Sequence, residues 1–261
     1  MPMKVTVCDF PDERERKEAA WQTLIAYLSA TPSDIVVLPE MPFCYWVFDG
    51  DTVDPTIWRE TVEIHDAMIA RMAELSAPLV LSSRPVERDG RRLNEAFIWS
   101  AAEGYQGIRS KWYLPDAPDG REALWFHQGD RNFTPSSASG VNIGFQLCSE
   151  MMYPEHAREI GLASGHLIAQ PRATGGNRRW HIAAAMSAAT SGGFVASANR
   201  RSFDRDWFSG GSWIFGPAAE LLAETTDAAP FATADIDTRQ ADRAKNEYPR
   251  DMHRTYAGRT V

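Results

Sequence analysis

Several features are scarce or missing in this chain of 261 residues. It has three cysteines, Cys8, Cys44 and Cys148, too few and odd in number for a disulfide scaffold, and their spacing matches no zinc pattern. No apolar run approaches the roughly 20 residues of a membrane-spanning helix, and the amino-terminal stretch lacks the apolar segment of a signal peptide. These absences predict a reduced, cytoplasmic protein with no membrane contact and no bound metal.

Positive charge is also in short supply. The formal net charge is −8, and no basic cluster is interleaved with aromatic residues, which excludes nucleic acid as the main partner. Lysine is rarest, because arginine carries nearly all of the basic surface. The only lysines are Lys4, Lys17, Lys111 and Lys245. Lys111 is therefore the one lysine between positions 18 and 244, and its isolation marks it as a functional candidate.

The chain does have a regular alternation of strand and helix patterns. Apolar runs at 35–38 and 79–81 suit strands that are buried on both faces, and Asp89-Gly90 predicts a hairpin turn. Helical periodicity is found at 11–30, 56–76, 154–163 and 179–190. A long irregular stretch covers 114–139, and the polar tail from about 243 to 261 is predicted to be an arm. The pattern predicts a single α/β or α+β layered domain over residues 1–261.

The stretch from Val141 to Arg158 contains the most distinctive change of character. An apolar strand pattern ends near Leu147, and a helical pattern follows Cys148. A strand end would hold the sulfur rigidly, and the amino terminus of the next helix would favour a thiolate. The alternative is an ordinary buried cysteine, because cysteine is among the most buried residue types.

Two further candidates occupy the same kind of position. Glu40 and Lys111 each follow a predicted strand, as Cys148 does, and ligands bind beyond the carboxyl ends of strands in open α/β sheets. A carboxylate can move protons, an ammonium can stabilise an anion and a thiol can attack a carbonyl. Each residue alone is more often a surface charge or a core side chain.

Together, these stretches resemble the nitrilase, or carbon–nitrogen hydrolase, superfamily. The resemblance covers nearly the whole chain in the right order. It rests on Pro39-Glu40 after an apolar strand, Lys111 before Leu114-Pro115-Asp116, and Cys148-Ser149-Glu150 before Tyr153-Pro154-Glu155 and Arg158. Asn94, Glu122 before Phe126, and Ser197-Ala198-Asn199 also match.

The resemblance implies a four-layer αββα sandwich with mixed sheets, assembled as a homodimer or larger homo-oligomer in which the 243–261 arm could lie at an interface. It implies that Glu40 is the general base and that Cys148 forms a thioester with a small amide, later released by water. Lys111 and the backbone N–H of Ser149 would hold the oxyanion, and Glu122 would position the substrate or Lys111. This chemistry needs neither a metal nor a cofactor.

Departures from the family pattern bear on the substrate. Ser149 stands where true nitrilases have tryptophan, and Met151-Met152 replaces the arginines with which some carbamoyl-amino-acid hydrolases hold a carboxylate. Arg172 would either supply that missing cation or be structural, and Glu150 would either cap the following helix or shape the pocket. The residues expected to bind substrate are Tyr45, Trp46, Trp112, Ser149, Met151 and Arg172, although such aromatics could equally be core.

We therefore expect a metal-independent amidohydrolase acting on a small linear amide without a strong anion requirement. N-carbamoyl hydrolysis and nitrile hydrolysis with the same triad remain alternatives. A catalytically silent scaffold that keeps the fold is the alternative outside enzymes.

Overall fold

A computed structural model describes residues 2–48, 50–116 and 121–252. Its strands are β1 (Pro2–Cys8), β2 (Phe10–Pro11), β3 (Ile35–Val37), β4 (Leu79–Arg88), β5 (Arg91–Ser100), β6 (Gly104–Ser110), β7 (Ser136–Ala138), β8 (Val141–Phe145), β9 (Leu167–Arg172), β10 (Phe194–Arg201), β11 (Trp213–Phe215), β12 (Leu221–Glu224) and β13 (Phe231–Asp237). Its α-helices are α1 (Arg14–Ala30), α2 (Pro55–Arg71), α3 (Glu122–Trp125), α4 (Pro154–Leu162), α5 (Arg179–Ser191) and α6 (Thr238–Ala244), and 3₁₀ helices cover Met72–Leu75 and Cys148–Met152. In these residues, no helix is both long and apolar enough to cross a membrane.

The strands form two mixed sheets. The first has the order β13-β1-β3-β4-β5-β6, and the second has the order β12-β11-β10-β9-β8-β7, with β2 paired to β10. Strands β1, β3 and β4 are parallel, as are β8, β9 and β10, whereas the outer strands of each sheet are antiparallel. The predicted hairpin is confirmed, since Asp89 and Gly90 join β4 to β5 and both have positive φ.

Apolar side chains on the facing sides of the two sheets form the central core. Ile35 and Val37 of β3 point into this core and pack with Leu167 and Ala169 of β9. Val36, between them in sequence, points outward toward α1 because successive strand residues alternate faces. Helices α4 and α5 cover the outer face of the second sheet. The four-layer αββα sandwich expected from the sequence is confirmed.

Two predicted boundaries differ from the structure. The first helix begins at Arg14 and not at Pro11, because Phe10 and Pro11 pair with β10 and the Asp12 side chain is engaged by Arg200. The stretch 114–139 contains α3 and β7, and its residues 117–120 lie outside the described residues.

Of the predicted arm, residues 243–252 are described, and Arg250 donates to the carbonyls of Ala244 and Ala189. Residues 253–261 lie outside the described residues.

Strand directions determine where the polar candidates meet. Strand β6 is antiparallel to β5, which is antiparallel to β4, so β6 runs in the same direction as β3. The residues that follow β3 and β6 therefore leave the first sheet at one edge. In the second sheet, the residues that follow β8 and β9 leave at a shared edge, because those strands are parallel.

Candidate active site

Lys111 lies at the centre of a buried charge cluster. Its Nζ donates to Glu40 Oε1 at 2.8 Å and to Glu122 Oε2 at 2.7 Å, and Lys111 and Glu40 are both 0% exposed. Burial would lower the pKa of Lys111, but the Glu122 and Glu40 carboxylates outweigh it and hold that pKa well above its ordinary value. Burial raises the pKa of Glu122 to about 7, although the Lys111 ammonium acts in the opposite direction.

One carboxylate oxygen of Glu40 accepts hydrogen bonds, and the other accepts none from the described residues. Asn94 Nδ2 also donates to Glu40 Oε1, at 2.8 Å, and the Asn94 carbonyl accepts the backbone N–H of Lys111. Glu40 Oε2 is buried and meets no hydrogen-bond donor among the described residues. A buried carboxylate oxygen without a donor is costly in a folded protein, and such groups call for an explanation. This one is available to accept a proton.

Cys148 is buried and has an unusual backbone conformation. Its φ is +47°, in the left-handed region that non-glycine residues seldom adopt, and its Sγ donates to the carbonyl of Ala173, which follows β9, at 3.8 Å. Burial raises the pKa of the thiol well above its ordinary value, and the charge of Glu40 adds to that rise against the opposing charge of Lys111. Burial therefore favours the thiol over the helix-stabilised thiolate that the sequence predicts, and the helix that starts at Cys148 is a 3₁₀ helix of only five residues.

Glu150 caps the start of the 3₁₀ helix Cys148–Met152, one of the two roles expected for it, because its Oε2 accepts the backbone N–H of Leu147 at 2.8 Å. It is 0% exposed and forms a two-pronged ion pair with Arg109, which the sequence had not singled out. Arg109 lies two residues before Lys111. Sequence spacing alone does not identify Glu150 as its partner, so the sequence contains no sufficient signal for Arg109. The pair links the segment that carries Lys111 to the segment that carries Cys148.

Arg200 and Asp12 form a second buried ion pair that sequence reasoning missed. Arg200 donates to the backbone carbonyls of Glu40 at 3.1 Å and Cys44 at 2.6 Å, and also to that of Met41. It thereby fixes the chain that leaves β3. The available signal was an arginine within β10, next to Asn199 and after the largely apolar run 194–198.

The predicted substrate-binding residues do not share one environment. Trp46 packs in an aromatic cluster with Phe48, Trp125, Phe126 and Phe208, and Leu114 and Ala173 lie against this cluster. Tyr45 lies on another side of the same loop, in a groove with Glu13 and Asp204. Tyr45 and Trp46 are adjacent in sequence, but their side chains point in different directions and therefore lie in different surroundings.

Three other predicted residues lie near the carboxyl ends of β6 and β8. Ser149 Oγ donates to the carbonyl of Tyr113 at 2.6 Å, and the backbone N–H of Trp112 donates to Glu150 at 2.7 Å. Met151 is 1% exposed and packs with the residues of α4 and α5 that cover the second sheet. The environment of Met151 is that of a core residue.

Arg172 is fully buried and engaged by the protein. Its Nε donates to Ser197 Oγ at 2.8 Å, its Nη1 donates to Thr174 Oγ1 at 2.6 Å, and its Nη2 donates to the carbonyl of Gly211. The guanidinium also lies 3.9 Å from the ring centroid of Trp213, and burial lowers the pKa of Arg172 to about 9. Each guanidinium nitrogen has a protein partner, which favours the structural alternative for this residue.

Similar proteins agree with one another on the class of enzyme. A family model described as carbon–nitrogen hydrolase matches residues 4–246. An N-carbamoylputrescine amidase from Arabidopsis thaliana is 24% identical over 237 residues, 83% of this chain and 79% of the relative. A citrullinase from Francisella tularensis is 22% identical over 175 residues, 66% of this chain and 60% of that enzyme.

Solved structures share the fold. A carbon–nitrogen hydrolase from Helicobacter pylori superposes with a TM-score of 0.84 at 21% identity, over 100% of both chains. An amidase from Nesterenkonia sp. superposes with a TM-score of 0.75 at 18% identity, over 97% of this chain and 96% of that one. A glutamate-to-glutamine variant of the Nesterenkonia amidase carries the acetamide moiety of fluoroacetamide on its active-site cysteine.

Proposed function

The chain belongs to the carbon–nitrogen hydrolase family, whose members act on C–N bonds other than peptide bonds, and from that premise we propose that it hydrolyses a small, uncharged linear amide through a thioester on Cys148. One observation carries the proposal. Lys111 neutralises Glu40 through Oε1, while Glu40 Oε2 stays buried and without a donor among the described residues. One oxygen of the carboxylate therefore holds Lys111 and the other is available for proton transfer.

The first half of the reaction makes the acyl-enzyme. Because burial keeps the Cys148 thiol protonated, attack needs a base, and Glu40 takes the thiol proton as the C–S bond forms. The carbonyl π electrons move to oxygen, where Lys111 and the N–H of Ser149 stabilise the anion. When the oxyanion collapses, the C–N bond breaks, and the nitrogen leaves as ammonia or an amine after receiving the proton from Glu40.

The second half returns the enzyme to its starting state. Glu40 accepts a proton from water as the water oxygen attacks the thioester carbon. The C–S bond then breaks, the sulfur regains its proton from Glu40 and the carboxylic acid leaves. Glu122 keeps Lys111 in place throughout, because its Oε2 accepts a second hydrogen bond from Nζ.

The choice of an uncharged substrate rests on how the nearby charges are paired. The Arg172 guanidinium and both terminal nitrogens of Arg200 are occupied by protein acceptors, and the Lys111 ammonium is occupied by two carboxylates. The aromatic cluster around Trp46 offers apolar walls next to the loops that follow Glu40 and Lys111. A substrate carboxylate would meet no unpaired cation among these residues.

N-carbamoyl compounds are the second candidate. The Arabidopsis relative is named for an N-carbamoyl amine and the Francisella relative for citrulline, and both compounds end in a neutral –CO–NH₂ group. The same residues would attack that carbon. A carbamoyl amine fits the charge pairing better than a carbamoyl amino acid, because only the latter requires a free cation.

A substrate panel tests the proposal. Ammonia release would be measured with acetamide, butyramide, succinamate, an N-carbamoyl alkylamine and butyronitrile, together with intact mass after treatment with fluoroacetamide. We expect turnover of the neutral amides, little turnover of succinamate, and one adduct that is lost in Cys148→Ala but retained in Cys44→Ala. Turnover of the nitrile with the amides inert, or an adduct that survives Cys148→Ala, would refute the proposal.

A further inference from the structure

We propose that Glu150 and Arg109 form a clamp that sets the position of Lys111 relative to Cys148, so that both are positioning residues for catalysis. This inference rests on the proposed function, because it assumes that the ammonium and the thiol act on the same carbonyl group. It assigns a role to a buried ion pair that joins the two segments.

The contacts of the Glu150 carboxylate carry the inference. Oε1 accepts the backbone N–H of Trp112 at 2.7 Å, and Oε2 accepts the backbone N–H of Leu147 at 2.8 Å. Trp112 directly follows Lys111, and Leu147 directly precedes Cys148. One carboxylate therefore holds the chain next to both residues.

These two segments come from different sheets. Lys111 follows β6 of the first sheet, whereas Cys148 follows β8 of the second sheet, and no strand pairing joins β6 to β8. Ser149 Oγ adds a second link by donating to the carbonyl of Tyr113. The distance between the ammonium and the sulfur thus depends on side-chain links and not on a shared hydrogen-bond ladder.

Arg109 offsets the cost of burying the Glu150 carboxylate and orients it. Both terminal nitrogens of Arg109 donate to Glu150, and the side chains are only 4% and 0% exposed. Arg109 Nε donates to the carbonyl of Asn132 at 2.9 Å, and the guanidinium lies 4.1 Å from the ring centroid of Phe133. Every group of the pair is satisfied, so the geometry is held rigidly.

A second ion pair in the chain provides a matched control. Arg88 donates twice to Glu95, at 2.9 and 2.8 Å, in the same sheet as Arg109. Glu95 follows Asn94 along β5, so its side chain points to the opposite face of the strand from the Asn94 amide that contacts Glu40. Loss of this pair removes a two-pronged ion pair whose arginine is more exposed, and it leaves the side-chain hydrogen bonds to the N–H groups of Trp112 and Leu147 in place.

The test compares Glu150→Gln and Arg109→Lys with Glu95→Gln in the full chain. We measure kcat and KM for butyramide, the rate of Cys148 alkylation by iodoacetamide between pH 6 and 10, and urea unfolding. Since a misplacement of about 1 Å can cost about 100-fold in rate, we expect kcat to fall at least about 10-fold with KM changed little. The alkylation profile should shift in both clamp variants and stay unchanged in Glu95→Gln.

The outcomes separate the clamp from the proposed function. If kcat and the alkylation profile of both clamp variants stay within about twofold of wild type while only stability falls, the pair is structural and the inference is refuted. If Glu150→Gln does not fold, Arg109→Lys, which keeps the charge but loses the two-pronged bond, decides the question. If wild type turns over no compound of the panel, the proposed function fails, and a selective shift in alkylation would still support the clamp.

Discussion

Replacing Lys111 with methionine should destabilise the protein in a way that depends on pH. The ammonium is fully buried between Glu40 and Glu122, at 2.8 and 2.7 Å. Removal of one partner from a buried ion pair costs about 3–5 kcal/mol, because an uncompensated charge remains inside the protein. Here two carboxylates lose the cation that contacts both of them, so we expect the upper part of that range near pH 8.

The sign of the pH dependence follows from the carboxylates. Burial already raises the folded-state pKa of Glu122 to about 7, and loss of the Lys111 ammonium, which opposes that rise, should raise it further above the unfolded value. A carboxyl group with a raised folded-state pKa loses stability as pH rises above its unfolded value, because the folded state resists ionisation. The deficit of Lys111→Met should therefore be smallest near pH 5 and grow toward pH 8.

Urea unfolding followed by tryptophan fluorescence measures this deficit at pH 5 and pH 8. Lys4→Met is the matched control, because Lys4 is half exposed and lies 3.7 Å from Asp235, so its loss should cost less than about 1 kcal/mol. The double variant Lys111→Met/Glu122→Gln should regain part of the stability. A deficit equal at both pH values, or no larger than that of Lys4→Met, would refute the account of the charge cluster.

Further outcomes can be checked with single variants. The folded-state pKa of Glu122 is raised to about 7, so wild type should lose stability as pH rises from about 4.5 to about 7. Glu122→Gln should lack this pH-dependent loss, and urea midpoints across this range measure the difference. Arg200→Met should lower the unfolding free energy by about 3–5 kcal/mol in the same assay, since Asp12 loses a buried partner. Tyr45→Phe should leave kcat/KM for butyramide within about twofold of wild type. Trp46→Ala should lower it by up to about 10-fold, because one buried aromatic contact is worth roughly 0.5–1.5 kcal/mol. Equal effects of these last two variants would contradict the separation of their side chains.

The sequence by itself determined the arrangement of elements and the identity of the candidate site. Runs such as Ile35–Val37 are apolar without interruption because both of their faces are buried, and the Asp89-Gly90 turn follows from residues that tolerate positive φ. Glu40, Lys111 and Cys148 were found because each lies at the end of a strand and matches a family motif. Such local patterns can be recognised from the sequence without knowledge of distant contacts.

Only the tertiary structure decided the roles that depend on distant partners. The sequence left the roles of Glu150 and Arg172 open. In the structure, the Glu150 carboxylate contacts Arg109, Trp112 and Leu147. The Arg172 guanidinium contacts Ser197, Thr174 and Gly211. Burial also reversed the expected thiolate at Cys148. The energy of a buried polar group depends on which donors and acceptors surround it, and these come from parts of the chain that only folding brings together.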